Sequence, residues 1–378
     1  MDPLKTLDAA LLALASCGFD RDTHESFVAR AATASDNAVR GQLAPVPDAQ
    51  VPALPPLGTA ERERLRLVGE QLIRERRVGV VVLAGGMATR FGGVVKAVVP
   101  ARGAASFLQL KHADIAAVAT QVGAPIPLFV MSSFATHDVI AAHIAQHALS
   151  TAAVPMTVFP QLAALRLGVD GSLFHDAKGE LSPYATGHGD LTFALRASGT
   201  LKRFRDAGGT TLCMTNVDNL GATLDPAMLA LHHELGGAVT VEVVRKLPGA
   251  VGGAPALLDG VPQIIEGFRF PRGYDQDQIK VFNTNTLILD AAAIDRDFAL
   301  PYYRVEKKVD GVTVLQFERL VGELTAFLPS RFVQVEQSGP DCRFLPIKEP
   351  EDLERHRSLI DRVVTSPRAV RQMRPDEV

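Results

Sequence analysis

The run VGVVVLAGG, residues 78–86, constrains the fold of this chain more than any other segment. Its β-branched residues follow one another without alternation, which is typical of a strand buried on both faces of a parallel sheet. Further apolar runs recur along the chain as PLFVMSS, MTVFPQ, TTLCMTNVDN, AVTVEVV and VFNTNTLIL. Helical stretches such as HDVIAAHIAQHAL and LTFALRASGTLKRFRDAG separate several of them. Strands that alternate with helices predict an α/β fold with a doubly wound sheet.

Three regions are expected along the 378 residues. Residues 1–58 predict an N-terminal helical segment followed by a proline-rich linker, which runs extended because closely spaced prolines cannot continue a helix. Residues 59–348 predict the main α/β domain, which opens with a helix that Thr59 caps at its N-terminus. Residues 349–378 predict a charged helix and a tail.

Composition excludes several classes of function. Lys and Arg total 39 against 42 Asp and Glu, and this near balance provides no basic surface for a nucleic-acid backbone. The three cysteines show no metal-ligand spacing, which favours a reducing, cytoplasmic location. No apolar run approaches the roughly 20 residues that span a bilayer, so no membrane partner is expected. The sequence does not indicate an oligomeric state.

A glycine-rich loop, LAGGMATRFGG at residues 83–93, follows the first buried strand. Gly85 and Gly86 allow a tight turn and close approach of main-chain N–H groups to a ligand. Arg90 offers bidentate contacts to phosphate, and Lys96 adds a second cation. The loop matches neither the P-loop nor the dinucleotide-binding glycine pattern. It fits a phosphate-binding loop, while a plain strand-to-helix turn is the alternative.

Two further motifs contain ionisable side chains beside glycines or strand ends. In TNVDNLGATLD, residues 215–225, Asp218 is expected at the carboxyl end of a strand, where open α/β sheets bind ligands. A lone carboxylate there suits Mg²⁺ or the geometry of an Asx turn. In GHGD, residues 187–190, glycines flank His188, which fits a ligand contact or a structural histidine.

Polar side chains also interrupt a predicted buried strand. Asn283 and Asn285 in VFNTNTLIL are two residues apart, so they are expected on one face of the strand. Their buried amides need partners, which a sugar or a structural network would provide. Lys246 and Lys307 lie on separate elements, and both fit either phosphate contacts or ordinary surface charges.

In this order, the segments resemble the UDP-glucose pyrophosphorylase family, the UTP–glucose-1-phosphate uridylyltransferases. The resemblance runs from about Val78 to Leu353 and includes LAGGMATRFGG, VMSSFATHD, FPQ, YATGHGDL, TNVDNLGATLD, VFNTNTL, KKVDGVTVLQFE and RFLPIK. It implies a Rossmann-like, mixed but mostly parallel sheet of the nucleotide-diphospho-sugar transferase type, with an N-terminal helical extension. It also implies a short form without the C-terminal β-helix domain of eukaryotic relatives.

The resemblance further implies roles for individual residues and Mg²⁺ as the cofactor, held by Asp218. The implied catalytic residues are Arg90, Lys96 and Lys307. The implied nucleotide-binding residues are Leu83, Gly85, Gly86, Gln161, Gly187, His188 and Gly189, with Gln161 at the uracil edge. The implied sugar- and phosphate-binding residues are Asn219, Gly221, Lys246, Glu266, Asn283 and Asn285.

The reaction that the resemblance implies joins UTP to glucose 1-phosphate and releases pyrophosphate. Two departures from the family pattern lie in the glycine-rich loop, where Ala88 replaces a usual glycine and one residue fewer precedes Lys96. One alternative is a pyrophosphorylase for N-acetylglucosamine 1-phosphate or for several sugars. The other alternative is a non-catalytic sensor of nucleotide sugars, which the two departures would favour.

Overall fold

The computed structural model describes residues 14–15, 17–31, 37–247 and 252–365. The first 13 residues of the predicted N-terminal helical segment and residues 366–378 of the predicted C-terminal tail lie outside these described residues. The proline-rich linker runs alongside the main domain, where Leu43–Pro45 pairs antiparallel with Ala254–Leu258. The linker also contains a single turn of 3₁₀ helix at Asp48–Gln50.

The centre of the fold is a mixed sheet of seven strands. In chain order they are β1 (Val78–Leu83), β2 (Leu128–Ser132), β3 (Met156–Pro160), β4 (Thr211–Asn216), β5 (Val239–Arg245), β6 (Val281–Asp290) and β7 (Ser330–Gln334). Their spatial order is β7-β5-β6-β4-β1-β2-β3. Strand β6 runs antiparallel to both neighbours, and every other pair in the sheet is parallel. The predicted α/β fold with a mixed, mostly parallel sheet is therefore confirmed.

Helices cover both faces of the sheet, and short strands and single turns form its loops. The helices are α1 (Arg21–Ala31), α2 (Ala60–Arg74), α3 (Phe107–Val122), α4 (His137–Gln146), α5 (Leu191–Ala197), α6 (Thr200–Asp206), α7 (Pro226–Leu235), α8 (Pro350–Arg355) and α9 (Arg357–Thr365). The short strands are Leu43–Pro45, Met87–Ala88, Val94–Val95, Pro100–Arg102, Ala105–Ser106, Ala163–Leu165, Leu167–Gly168, Pro183–Ala185, Ala254–Leu258, Val261–Ile265, Tyr303–Val309 and Val312–Glu318. Besides Asp48–Gln50, the 3₁₀ turns are Thr89–Phe91, Lys96–Val98, His188–Asp190, Gly267–Arg269, Gln276–Gln278 and Val321–Ala326.

Strand β1 explains why the sheet needs helices on both sides. All six of its residues are buried. Val80 and Val82 pack in one apolar cluster with residues of α3, whereas Val81 and Leu83 pack in a second cluster with residues of α5 and α6. An unbroken apolar run is therefore stable only between two covering layers, as the sequence pattern predicts.

Helix α2 begins where the sequence predicts. The hydroxyl oxygen of Thr59 accepts a hydrogen bond from the N–H of Arg62 at 3.2 Å and so caps the helix. At Gly69 the helix touches α7 so closely that a Cβ would lie 1.7 Å from the carbonyl oxygen of Pro226. The glycine therefore permits the close packing of α2 on α7.

Three details differ from the sequence-based prediction. The predicted helical stretch 191–208 is divided into α5 and α6 because Gly199 adopts a left-handed conformation with φ 69°. The charged C-terminal stretch is likewise divided at His356 into α8 and α9. Strand β7 is not predicted, because SRFVQ is short and mixes charged and polar residues with apolar ones.

Candidate active site

An open cleft of about 520 Å³ lies at the carboxyl ends of β1 and β4. Along the chain, β1 is followed by β2 on one side of this pair of strands, and β4 is followed by β5 on the other side. Open α/β sheets bind ligands where the strand order reverses in this way. The cleft is lined by Leu83, Gly85, Gly86, Met87, Arg90, Lys96, Met131, Gln161, Ala185, Gly187, His188, Asn216, Val217, Asp218, Glu318 and Lys348. Nine of these residues are among those predicted from the sequence, namely Leu83, Gly85, Gly86, Arg90, Lys96, Gln161, Gly187, His188 and Asp218.

A larger cavity of about 1170 Å³ lies elsewhere, beside α5, α6 and residues 290–297. Its cations already have carboxylate partners, since Arg196 and Arg205 both pair with Asp295. It includes Gly208 and Thr210, which precede the amino end of β4. Because ligands of open α/β sheets bind at carboxyl ends, the smaller cleft is the better candidate site.

Two glycines shape the floor of the cleft in different ways. A Cβ on Gly85 would lie 2.9 Å from the side-chain amide nitrogen of Gln161, so the glycine leaves room for that amide. A Cβ on Gly86 would meet no protein atom within 4 Å, so the main chain there is open to the cleft. The loop continues as a small hairpin, Met87–Ala88 with Val94–Val95, between whose strands lies Arg90, which is exposed and lines the cleft.

The loop of residues 187–189 also borders the cleft, which Gly187 and His188 line. Gly187 has φ 97°, and a Cβ there would lie 2.4 Å from the carbonyl oxygen of Arg319. A Cβ on Gly189 would lie 2.5 Å from the nitrogen of Leu320, so Gly189 permits packing rather than lining the cleft. These glycines let the loop lie directly against residues 319–321.

His188 has a defined protonation state in this loop. Its Nδ1 accepts a hydrogen bond from the N–H of Val321 at 3.0 Å. Burial lowers the pKa of His188 to about 4, so the ring is neutral at physiological pH. Because Nδ1 is the acceptor, the proton is assigned to Nε2, which leaves one N–H donor for a ligand.

Two lysines converge on Asp218. The Nζ atom of Lys348 lies 3.4 Å from Oδ2 of Asp218, and that of Lys96 lies 4.0 Å from the same oxygen. Lys96 also donates to the carbonyl oxygen of Ile347 at 2.6 Å and lies over the ring of Phe91. Burial lowers the pKa of Lys96, and the carboxylate of Asp218 opposes this effect. Despite the shortened loop, Lys96 therefore lies in the cleft.

Lys348 is a cation of the cleft that is not among the residues predicted from the sequence. It belongs to RFLPIK, a motif used for the resemblance, but no pattern around it indicates a ligand. Lys348 follows a segment that lies beside the residues after β4. Its position in the cleft becomes visible only when that contact is known.

Asp218 would bind a metal ion together with water and substrate oxygens. No group of three or more His, Cys, Asp or Glu side chains that could hold a metal occurs among the described residues. The side chain of Asp218 is nevertheless 19% exposed in a cleft that also contains the cations Arg90, Lys96 and Lys348. A single carboxylate suits Mg²⁺ when water and substrate phosphates complete the coordination.

The predicted sugar contacts of Asn219 and Gly221 are not supported by their positions. Asn219 is 1% exposed, and its amide bonds the backbone of Arg343 and Leu345. A Cβ on Gly221 would lie 2.7 Å from the carbonyl carbon of Arg343, so this glycine permits chain packing. Instead, Asn216, which the sequence analysis did not select, lines the cleft.

Lys246 is a second correction. Its side chain is 4% exposed, and its Nζ donates to the carbonyl oxygen of Gln276 at 2.7 Å. Its amine therefore holds the turn at residues 276–278. Lys246 is not among the residues that line the cleft.

Of the other predicted residues, Asn283, Asn285 and Lys307 are connected to residues that line the cleft. Asn285 donates to the side-chain oxygen of Asn216 at 3.0 Å, and its own N–H donates to the side chain of Asn283. Lys307 lies 3.7 Å from Glu318, a cleft residue. Glu266 is largely buried, and burial together with the carboxylate of Glu323 raises its pKa to about 7, against the opposing effect of Arg269.

None of the helices among the described residues is both long and apolar enough to cross a membrane.

Curated relatives are similar to most of this chain. A UTP–glucose-1-phosphate uridylyltransferase from Pyrus pyrifolia is 31% identical over 291 residues, which are 72% of this chain and 60% of the relative. The enzyme of the same name from Saccharomyces cerevisiae is 30% identical over 297 residues, 73% of this chain and 58% of the relative. The chain thus spans about 60% of the length of the curated relatives that it matches.

Solved structures show the same fold. The UDP-N-acetylglucosamine pyrophosphorylase of Trypanosoma brucei superposes with a TM-score of 0.76 at 20% identity, covering 92% of this chain and 78% of that one. A UDP-glucose pyrophosphorylase variant from Leishmania major superposes with a TM-score of 0.68 at 22% identity, covering 90% and 78%. The family profile described as UTP–glucose-1-phosphate uridylyltransferase matches residues 26–366. By this match over most of its length, the chain belongs to the UTP–glucose-1-phosphate uridylyltransferase family.

Proposed function

We propose that this protein joins UTP to glucose 1-phosphate, forming UDP-glucose and pyrophosphate. The observation that carries the proposal is that Arg90, Lys96 and Lys348 share a cleft with the carboxylate of Asp218. Such a group of cations suits two phosphorylated substrates, and the membership of the family supports UTP and a sugar 1-phosphate as those substrates. The reverse reaction would consume the UDP-sugar and pyrophosphate.

The nucleotide is proposed to bind along the glycine-rich loop. Gly86 would leave its backbone open to the ligand, and the amide of Gln161, which lines the same cleft, would read the edge of uracil. The Nε2–H of neutral His188 would donate to the nucleotide from the loop of residues 187–189. A neutral donor suits this position because it does not compete with the cationic residues for phosphate.

The chemistry is an in-line displacement at the α-phosphorus of UTP. An ionised phosphate oxygen of the sugar 1-phosphate forms a new P–O bond, and the bond to the bridging oxygen breaks so that pyrophosphate leaves with the electron pair. No proton transfer is required, so positioning and charge neutralisation are the tasks of the protein. Arg90 and Lys96 would bind the pyrophosphate portion, and Lys307 would stabilise the α-phosphate from the rim.

Asp218 would hold the cofactor, which we propose is Mg²⁺. When bound, the ion supplies neutralisation of the charge that develops on the phosphates. Lys96 and Lys348 lie beside the same carboxylate and would place their own charges on the same phosphate oxygens.

Sugar hydroxyls are proposed to contact the polar group beside the cleft. Asn285 and Asn216 form one hydrogen-bonded pair there, Asn283 supports the pair, and Glu266 is the predicted carboxyl contact. The three-region division of the chain and the cytoplasmic location stay predictions.

One assay tests the activity. Pyrophosphate release is measured with UTP or other nucleoside triphosphates against a panel of sugar 1-phosphates, with and without Mg²⁺. We expect turnover with UTP and glucose 1-phosphate in Mg²⁺. Preference for N-acetylglucosamine 1-phosphate would identify the alternative specificity. UDP-glucose binding without pyrophosphate release would identify a sensor.

Three variants test the residue roles. Asp218→Ala should lower turnover by ~10²–10³, and near wild-type turnover in Mg²⁺ would contradict the metal assignment. Lys348→Ala should cause a loss of the same order, because it removes a charge beside the phosphates. Lys307→Ala should lower turnover more than it weakens UTP binding, whereas the opposite pattern would make it a binding residue only.

A further inference from the structure

Residues 342–348, called here the anchor segment, lie along the loop that follows β4. The N–H of Leu220 donates to the carbonyl oxygen of Leu345 at 3.1 Å, and the N–H of Ile347 donates to that of Asp218 at 2.9 Å. Gly221 allows this approach, since a Cβ there would lie 2.9 Å from the nitrogen of Leu345. The anchor segment is therefore hydrogen-bonded to the backbone of Asp218, the proposed metal ligand, and of Leu220.

The side chain of Asn219 bonds to the anchor segment on both of its amide atoms. Its Oδ1 accepts from the N–H of Leu345 at 2.8 Å, and its Nδ2 donates to the carbonyl oxygen of Arg343 at 3.4 Å. The residue is 1% exposed. Its backbone oxygen accepts from Nζ of Lys111 at 2.6 Å, which fixes Asn219 itself.

The C-terminal end of the anchor segment includes one lysine of the cleft and contacts the other. Lys348 is its last residue and lies 3.4 Å from Asp218, and Lys96 donates to the carbonyl oxygen of Ile347. A shift of the anchor segment would therefore move both cations relative to the carboxylate. In oriented reactions, a displacement of about 1 Å can cost ~10²-fold in rate.

We propose that Asn219 is a positioning residue, which clamps the anchor segment so that Lys348 faces Asp218. This inference rests on the proposed function, since it assigns Lys348 to the transfer reaction. It replaces the sugar contact predicted for Asn219 with a role that acts through another residue. The clamp would change the rate of the transfer step and not substrate binding, because it fixes the position of the Lys348 amine and does not itself contact the substrate.

Steady-state kinetics separate the clamp from a sugar contact. Asn219→Ala should lower kcat by ~10–100-fold and leave KM for glucose 1-phosphate within about two-fold, because no sugar contact is lost. The matched control is Asn216→Ala, which removes an amide that lines the cleft and should raise that KM by roughly 10-fold. A raised KM in Asn219→Ala, comparable with that of the control, would overturn the proposal.

A double-mutant cycle tests whether Asn219 acts through Lys348. Once Lys348→Ala has removed the amine, adding Asn219→Ala should lower kcat by no more than about three-fold. Losses that multiply would show that the two residues act independently and would overturn the clamp. If the wild-type protein shows no transfer activity, the proposed function fails and the clamp fails with it. If the wild type is active but the losses multiply, only the clamp fails, so the two failures are distinguishable.

Asn219→Asp is a second, isosteric variant, and the melting temperatures of both variants show whether each one folds. It keeps the volume and the acceptor for the N–H of Leu345, and it loses the donor to Arg343. Because a buried carboxylate oxygen then faces the carbonyl oxygen of Arg343 and repels it, we expect a loss of kcat here too, again non-additive with Lys348→Ala. An Asp variant with raised KM for glucose 1-phosphate and unchanged kcat would again contradict the clamp.

Discussion

Gly85 and Gly86 are adjacent, yet a methyl group would meet different surroundings at each. At Gly85 it would lie 2.9 Å from the amide nitrogen of Gln161, whereas at Gly86 it would face open cleft. We expect Gly85→Ala to displace the Gln161 amide and raise KM for UTP about 10-fold, the effect of losing roughly one hydrogen bond. Initial rates against UTP concentration measure this change.

Gly86→Ala is the control for Gly85→Ala. It should leave the melting temperature of the free protein unchanged, because no protein atom lies within 4 Å of the added carbon. If Gly85→Ala left KM for UTP unchanged, Gln161 would not contact the nucleotide.

Glu266 makes protein stability depend on pH. Its pKa is raised from 4.5 to about 7, first by burial and then by Glu323. Between these two values the folded state keeps a proton that the unfolded state loses, so wild-type stability falls as pH rises. Glu266→Gln removes the buried charge, and at pH 8 it should be more stable by on the order of 1–3 kcal/mol.

Thermal unfolding at two pH values checks this sign. The melting temperature of Glu266→Gln should exceed that of the wild type by several degrees at pH 8 and match it within about one degree at pH 4.5. An equal shift at both pH values would mean that the substitution acts through packing and that the carboxyl group titrates normally.

Strand β6 contains the irregularity that directs Asn285. Its pairing with β5 shifts register between Glu242 and Val243, and Asn285 has φ 56°. Asparagine and glycine adopt this conformation most readily, whereas β-branched residues are strained there. Asn285→Gly should therefore keep the fold and lose the amide contact to Asn216, while Asn285→Val should also cost about 1–3 kcal/mol of stability.

Melting temperatures and KM for glucose 1-phosphate distinguish the two variants. Both should raise KM, but only the valine variant should melt at a clearly lower temperature. Equal melting temperatures would show that the left-handed backbone at Asn285 carries no strain for other residues.

The strands of the sheet could be predicted from the sequence where a strand is buried, because a buried strand consists of a run of apolar residues. Strands β1 to β6 were found in this way, because each is long enough and apolar enough to be recognised. Strand β7, SRFVQ, is short and has neither an apolar run nor a strict alternation, so its membership of the sheet depends on pairing with β5. Alternation also placed Asn283 and Asn285 on one face, but the register shift was not predictable, since it arises from two strands together.

The cleft as a whole joins segments that are distant in sequence. Residues attached directly to strand ends, such as Gly85 and Asp218, could be located from the sequence because the fold fixes those ends. Lys348 could not, since its position depends on hydrogen bonds between the anchor segment and the loop after β4. The sequence could not distinguish Asn219 from Asn216 for the same reason, because only tertiary contacts show that Asn219 is buried and that Asn216 lines the cleft.

Metal removal separates catalysis from folding in the whole molecule. The proposed Mg²⁺ site uses one protein carboxylate, Asp218, with water and substrate phosphates as the other ligands, so we expect the ion to act in catalysis and not in folding. Chelation with EDTA should lower turnover by at least ~10²-fold, and added Mg²⁺ should restore it, because Asp218 and the substrate phosphates would bind the ion together. The melting temperature without nucleotide should stay within about one degree. Asp218→Ala is the matched control, whose residual turnover should respond much less to EDTA; a lower melting temperature of the wild type in EDTA would instead reveal a structural metal.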